Sequence, residues 1–240
     1  MQSPFSNLPP VLKNLLIINI LCFCVSLYYS HGFAGTADPV GEHFGVYYFN
    51  SPMFRPWQLI TYMFLHGGWE HILFNMFALY SFGAILEYTM SSQKFLGFYF
   101  ICGIGAVVFQ MIVQAFEVHA ITGHLNIPFP ELESSYLQYG DNAQKLYDIF
   151  HTPMVGASGA IFGVLIAFGM IFPNAELMIL FIPVPVKAKY IIPVYVIIEI
   201  SMGIGQFGGD NVAHFAHIGG AIIGFILVKL WKLQGPRNFI

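Results

Sequence analysis

The feature that most constrains this 240-residue chain is a series of long apolar runs that carry few charges. Residues 191–200 and 221–230 are two of these runs. Only 9% of the chain is charged and 57% is hydrophobic, whereas soluble domains carry roughly 25% charged residues. A chain of this kind must cross a membrane as helices or as a closed barrel. Barrel strands alternate over about ten residues. These runs do not alternate, which predicts an all-α membrane protein.

The apolar runs predict six transmembrane helices in a single polytopic membrane domain that covers residues 1–240. The predicted spans are residues 15–32, 69–88, 95–116, 156–172, 190–205 and 212–231. Residues 33–57 are rich in Gly, Pro and aromatic residues, which favours an interfacial loop, and the polar residues 117–152 predict an outer loop. A cleaved signal peptide is an alternative for the first run. The single preceding Lys13 and the length of the run favour a retained helix.

The distribution of basic residues predicts the orientation of the six spans. Seven of the nine Lys and Arg residues fall on the side of the termini, and two fall on the other side. This asymmetry places both termini in the cytoplasm. The chain has no basic cluster of the kind that nucleic-acid binding needs. The three cysteines lie in apolar runs and are expected to be ordinary apolar side chains.

One serine lies at the boundary between the polar outer loop and the fourth span. Ser158 lies in the sequence Gly-Ala-Ser-Gly at residues 156–159 and precedes an apolar run. The first N–H groups of a helix lack intrahelical partners and favour negative charge, so an oxyanion could bind there. The alternative is that these small residues only form a close-packing surface, which is common in membrane helices.

Polar side chains from three predicted helices fall at similar membrane depth. At ~1.5 Å per residue, Ser158 lies about 22 Å above the inner boundary of its span, and His217 and Asn75 lie about 18 Å above theirs. His71 lies one turn above Asn75. Because polar groups are costly in hydrocarbon unless they are buried together or hydrated, we expect all four side chains to converge on one internal site.

These four side chains suit nucleophilic catalysis. A serine is a weak nucleophile until a base takes its proton, and His217 can be that base. We predict a Ser158–His217 dyad, because no carboxylate lies at this depth unless Glu199 does. His71 and Asn75 are spaced i, i+4 and could donate to an oxyanion beside the Ser158 N–H. Four glycines at close-packing spacing predict a tight contact between the fourth and sixth helices; they are Gly159, Gly163, Gly220 and Gly224.

Three motifs carry a resemblance to a known family. The pattern G-x-S-G ends at Gly159, H-x-x-x-N runs from His71 to Asn75, and A-H-x-x-G-x-x-x-G ends at Gly224. The chain therefore resembles the rhomboid intramembrane serine proteases of the bacterial six-helix type. The resemblance implies a rhomboid-like bundle in the bacterial inner membrane. It also implies cleavage of peptide bonds in or near transmembrane segments of substrate proteins, with Ser158 as nucleophile, His217 as base, and His71 and Asn75 supporting the oxyanion hole.

Two positions depart from the family pattern. The first loop has Trp57-Gln58 where the family often has Trp-Arg, and Arg55 cannot be assumed to replace that arginine. Phe162 lies four residues after the serine, where many bacterial members have a tyrosine, so ring stacking on the histidine is retained and a hydroxyl is lost. Neither departure touches Ser158 or His217.

The sequence leaves alternatives to proteolysis. A non-catalytic rhomboid-like binder of transmembrane helices, acting in quality control, is the main alternative, although such relatives usually lack the serine or the histidine. A small transporter would predict an inverted repeat, and the sequence has none. His214 lies one turn from His217, but without a third ligand or an HExxH pattern the sequence predicts no metal and no cofactor. Glu199 could equally reach water from its helix end.

Overall fold

The computed structural model describes residues 8–30, 38–125, 133–179, 182–205 and 213–235. Helices predominate in these ranges: α1 (Pro10–Tyr29), α2 (Pro39–Phe44), α3 (Gln58–Thr61), α4 (Trp69–Met90), α5 (Ser92–Thr122), α6 (Ala143–His151), α7 (Ser158–Ile171), α8 (Ala188–Gly205) and α9 (His214–Leu230). An antiparallel hairpin, β1 (Glu176–Ile179) and β2 (Ile182–Lys187), joins α7 to α8. Parts of the predicted spans 15–32 and 212–231, and of both predicted loops, lie outside the described residues.

Four of the described helices are long and apolar enough to cross a membrane, so the chain is an integral membrane protein; they are α1, α4, α5 and α8. Helices α7 and α9 are shorter apolar helices of 14 and 17 residues. These six helices follow the order of the six predicted spans, but the count of six membrane crossings stays a prediction. At ~1.5 Å per residue α7 is about 21 Å long, which is less than the ~30 Å of a hydrocarbon core.

Helix α7 lies at the centre of the bundle. It packs against α9, α5, α4 and α8. Its residues Ala160, Val164 and Ala167 are almost completely inaccessible to solvent. A helix that is apolar on every side is stable when neighbouring elements cover it, and this surrounding of α7 buries the helix that begins at Ser158.

Helix α5 is longer than predicted. It continues to Thr122, six residues beyond the predicted end at residue 116. The added turns are stabilised by an ion pair of 2.9 Å between Glu117 and Lys145, and by the complete burial of Val118. Val118 belongs to a small apolar cluster, separate from the main core between the long helices, that joins described parts of the two predicted loops. Its other buried members are Tyr48, Tyr136, Leu146, Ile149 and Phe150.

The N-terminus of α1 is held by a carboxylate from another helix. Glu87 is 1% exposed and accepts hydrogen bonds from the backbone N–H groups of Val11, at 3.0 Å, and Leu12, at 2.7 Å. No side chain caps α1 locally, and Pro9 precedes it. A negative charge at this position satisfies two of the N–H groups that a helix start leaves unpaired. The contact fixes α1 against the C-terminal part of α4.

Gln58 organises the loop before α4. Its amide nitrogen donates to the carbonyl oxygens of His43, at 3.2 Å, and Met53, at 3.1 Å, while its amide oxygen accepts from the Arg55 N–H at 2.9 Å. Gln58 is 1% exposed, so these bonds are shielded from solvent. The Arg55 side chain is exposed and donates to nearby carbonyls of its own loop. The amide of Gln58, rather than Arg55, therefore ties this loop together.

Candidate active site

The loop before α7 approaches the site through a glycine. Gly156 has φ of +135°, a conformation that residues with a Cβ rarely adopt. A Cβ at this position would lie 2.8 Å from His71 Nε2 and 3.5 Å from Ser158 Oγ. The Gly156 N–H donates to the Tyr62 carbonyl at 2.9 Å, which holds the loop in place. The same small space is thus bordered by the imidazole of His71 and the hydroxyl of Ser158.

Ser158 and His217 are within hydrogen-bonding distance. Ser158 is the first residue of α7, and His217 lies one turn into α9. The distance between Ser158 Oγ and His217 Nε2 is 2.7 Å. The ring of Phe162 stacks on His217 with centroids 4.4 Å apart and planes 9° from parallel. A flat apolar surface on one side and a hydroxyl at Nε2 leave the imidazole little freedom to rotate.

Close backbone contact between α7 and α9 makes this distance possible. A Cβ at Gly220 would overlap the Gly159 carbonyl oxygen and lie 2.7 Å from its carbonyl carbon. A Cβ at Gly224 would lie 2.7 Å from both the Cα and the carbonyl oxygen of Gly163. Only glycine lets two helix backbones approach so closely. Gly220 and Gly224 lie about one and two turns beyond His217 on α9, and Gly159 directly follows Ser158 on α7.

His71 and Asn75 lie on α4 at the same end of the bundle. The Gly67 N–H donates to His71 Nδ1 at 3.4 Å. Because Nδ1 accepts this bond, a neutral His71 carries its proton on Nε2, the atom that borders the space beside Ser158. Asn75 is 6% exposed and lies one turn further along α4. The hydrogen bonds of the described residues include none from Asn75 to Ser158 or His217, so its predicted role depends on position alone.

Glu199 belongs to the site, which the sequence left open. Its Oε2 lies 2.8 Å from His217 Nδ1 and 2.6 Å from His214 Nδ1. The Glu199 side chain is 14% exposed, so it faces the histidines rather than reaching water from its helix end. His214 joins the site as well. The sequence carried two signals for this cluster. His214 and His217 are spaced to share one helix face, and Glu199 is the only acidic residue of α8.

His66 packs on the far side of His71. The two imidazole centroids are 5.0 Å apart at 71°, and His66 is 1% exposed. Among the described residues neither ring nitrogen of His66 has a hydrogen-bond partner. Burial, and to a lesser degree the neighbouring His71, lowers the pKa of His66 to about 3. His66 is therefore neutral at physiological pH, and its ring packs against the ring of His71.

The fold and the site together define a class: a helical membrane protein with a Ser–His pair at the start of a short helix inside the bundle. Comparison with known families names that class. The profile of the Rhomboid domain matches residues 54–232, so the chain belongs to the rhomboid family. The family that the three motifs indicated is thereby confirmed.

Relatives with known names include proteases and mitochondrial proteins. Rhomboid protease AarA of Providencia stuartii is 31% identical over 176 residues, which cover 71% of this chain and 54% of the relative. Rhomboid protease GluP of Bacillus subtilis is 27% identical over 187 residues, 76% and 27% of the respective chains. Rhomboid protein 1, mitochondrial, of Saccharomyces cerevisiae is 27% identical over 168 residues, 70% and 40%. The chain thus spans at most about half the length of these relatives.

Proposed function

We propose that this protein is an intramembrane serine endopeptidase that hydrolyses peptide bonds in or near the transmembrane segments of other membrane proteins. The observation that carries the proposal is the 2.7 Å distance between Ser158 Oγ and His217 Nε2 at the start of α7. A nucleophile and a base in direct contact are the requirement for acyl transfer. Protease-named relatives from two bacteria support the same activity.

The reaction divides into acylation and deacylation. Ser158 Oγ attacks the substrate carbonyl carbon while its proton passes to His217 Nε2, and the carbonyl becomes a tetrahedral oxyanion. The protonated His217 then gives its proton to the leaving amine, the C–N bond breaks, and an ester to Ser158 remains. Water attacks this ester with His217 again as base, which releases the carboxylic acid and restores the serine.

Donors near Ser158 stabilise the oxyanion. The His71 Nε2–H borders the space beside Ser158, and the backbone N–H of Ser158 lies in the first turn of α7, where helix N–H groups lack intrahelical partners. Asn75, one turn from His71, is the third proposed donor. One preorganised donor of this kind typically contributes about a hundredfold to a thousandfold in rate.

Glu199 extends the predicted dyad. The Nδ1–H of His217 donates to the Glu199 carboxylate, so the lone pair of Nε2 faces the Ser158 hydroxyl. The carboxylate also stabilises the imidazolium that forms when the serine proton moves. Glu199 is thus a positioning residue that acts through His217, by the same logic as the third member of a serine-protease triad.

The proposal includes a membrane arrangement. The protein is one polytopic domain over residues 1–240 with six spans, and both termini face the cytoplasm of a bacterial inner membrane, because seven of nine basic residues fall on that side. Its partners are the lipid bilayer and transmembrane substrates, whose helices must unwind locally to expose the bond. Reporter fusions at the C-terminus in a bacterial host test the orientation; reporter activity outside the cytoplasm would contradict it.

Cleavage of a reporter transmembrane segment in proteoliposomes tests the activity. We expect Ser158→Ala and His217→Ala each to abolish cleavage, and a fluorophosphonate probe to label Ser158 of the unaltered protein. Ser201→Ala is a matched control, because Ser201 is an exposed hydroxyl that donates to its own helix at 2.8 Å. If folded protein cuts none of a panel of segments and takes no label, the non-catalytic helix binder replaces the protease.

A further inference from the structure

Three potential metal ligands converge beside the proposed nucleophile. They come from two helices, α8 and α9: Glu199 Oε2, His214 Nδ1 and His217 Nδ1. All three atoms lie within 4.8 Å of one another. The carboxylate oxygen is 2.6 Å from one imidazole nitrogen and 2.8 Å from the other. His214 and His217 are each 8% exposed, so the cluster is largely buried.

We propose that Glu199, His214 and His217 form a binding site for a divalent transition-metal ion, with Zn²⁺ as the best fit, and that the bound ion reversibly inhibits this protein. Two imidazole nitrogens and one carboxylate oxygen are a ligand set that zinc takes in proteins, with a fourth position left for water. Ca²⁺ and Mg²⁺ prefer all-oxygen surroundings and do not suit two imidazoles.

The geometry requires only small adjustments. Zinc ligands lie about 2.0–2.2 Å from the ion, so ligand atoms around it are somewhat further apart than the present hydrogen-bonded contacts. The Glu199 oxygen has to withdraw slightly from both rings to admit the ion. His214 and His217 are three residues apart on α9 and already present the same ring nitrogen to one point.

Inhibition follows from the position of one proton, and this part of the inference depends on the proposed protease function. Without metal, the Nδ1–H of His217 donates to Glu199 and Nε2 accepts the proton of Ser158. A metal ion on Nδ1 needs the lone pair of that nitrogen, so a neutral imidazole then carries its proton on Nε2. His217 keeps the same number of protons, but its Nε2 becomes a donor to Ser158 and can no longer act as base.

Direct zinc binding tests the site without reference to activity. The protein to use is the full chain with Ser158→Ala, without an oligohistidine tag, in competition with a chromophoric zinc chelator. We expect one Zn²⁺ per protein and no displacement by excess Mg²⁺ or Ca²⁺. Glu199→Gln and His214→Ala, from two different helices, should each weaken binding by about tenfold or more. His124→Ala is the control, because His124 is exposed and remote from α8 and α9 in sequence.

Four results would decide the inference. Absence of stoichiometric binding, or binding that both Glu199→Gln and His214→Ala leave unchanged while the variants remain folded, overturns the site. Binding that leaves cleavage and fluorophosphonate labelling of the unaltered protein at full rate overturns the inhibition. Loss of both activities at the zinc concentration that half-fills the site, reversed by a chelator, supports both parts. Zinc binding in a protein that never cleaves supports the site and refutes the protease function instead.

Discussion

Replacement of Gly220 by Ala tests whether the closeness of α7 and α9 creates the Ser158–His217 contact. The added Cβ would overlap the Gly159 carbonyl oxygen and lie 2.7 Å from the carbonyl carbon. Ordinary contact begins at 3.4 Å, and both obstructing atoms are backbone, so no side chain can rotate away. The two helices must therefore separate by at least about 0.7 Å at this point, the difference between those distances.

The separation of the two helices would also move Ser158 away from His217. Gly159 follows Ser158 in the chain, and Gly220 lies one turn after His217. The Oγ–Nε2 distance of 2.7 Å would grow to about 3.4 Å or more, beyond the reach of efficient proton transfer. A misplacement approaching 1 Å can cost on the order of a hundredfold in rate, and overpacking typically costs about 1–3 kcal/mol of stability.

Gly97→Ala is the matched control for this experiment. It makes the same chemical change on α5, where the nearest atom to the new Cβ, from Trp231, lies 4.0 Å away. We expect Gly97→Ala to retain cleavage and fluorophosphonate labelling, while folded Gly220→Ala loses both by about tenfold to a hundredfold. Labelling and cleavage of Gly220→Ala within about threefold of the unaltered protein, less than 1 kcal/mol in barrier, would refute the reasoning.

Four further predictions address other parts of the molecule. Glu199→Gln, assayed with a chelator present, should lower kcat by about tenfold to a hundredfold with KM unchanged, since a hydrogen bond to a charged group contributes about 1.5–3 kcal/mol; a change in KM alone would contradict a positioning role. Phe162→Ala should slow acylation because His217 loses its stacking partner, whereas Phe162→Tyr should retain the rate; equal labelling rates for both would contradict this. Glu87→Gln should lower the free energy of unfolding by about 1–3 kcal/mol, because the carboxylate that accepts the N–H groups of α1 is lost, and denaturation in detergent measures it. His66→Asn should flatten the pH dependence of the melting temperature. The native pKa of His66 is about 3 and its ordinary value is 6.5, so between these pH values the unfolded state binds more protons and stability falls as pH decreases. An unchanged slope of melting temperature against pH would contradict the burial of a neutral His66.

Helix rise predicts which polar residues share a membrane depth, because depth depends only on position along a helix. The same measure applied to Glu199 puts it twelve residues after Lys187, or about 18 Å above the boundary, which is the depth estimated for His217. Depth does not indicate how a helix is rotated about its own axis, and therefore which neighbour a side chain faces. Helix α8 is apolar on most sides, so no apolar stripe indicates which side faces α9, and only packing turns Glu199 toward the histidines.

The ends of elements were less predictable than their centres for a related reason. The residues from 117 onward were predicted as an outer loop. Helix α5 continues there because Glu117 forms an ion pair with Lys145, 28 positions later in the chain. Glu87 lies near the end of a span and is nevertheless buried, since it meets the unpaired N–H groups of α1. In each case a charged residue is accommodated by a partner distant in sequence, which composition and periodicity do not report.

The site likewise depends on partners distant in sequence, through two kinds of contact: close packing between helices, and the hydrogen bond from His217 to Glu199. Apolar and small residues pack α7, α9 and α5 closely against one another, and this contact sets the Ser158–His217 distance of 2.7 Å. Helix α8 is the least buried of the four long helices, and Glu199 reaches from it to His217. A displacement of α8 away from α9 would therefore remove the carboxylate from the base while leaving Ser158 and His217 in contact.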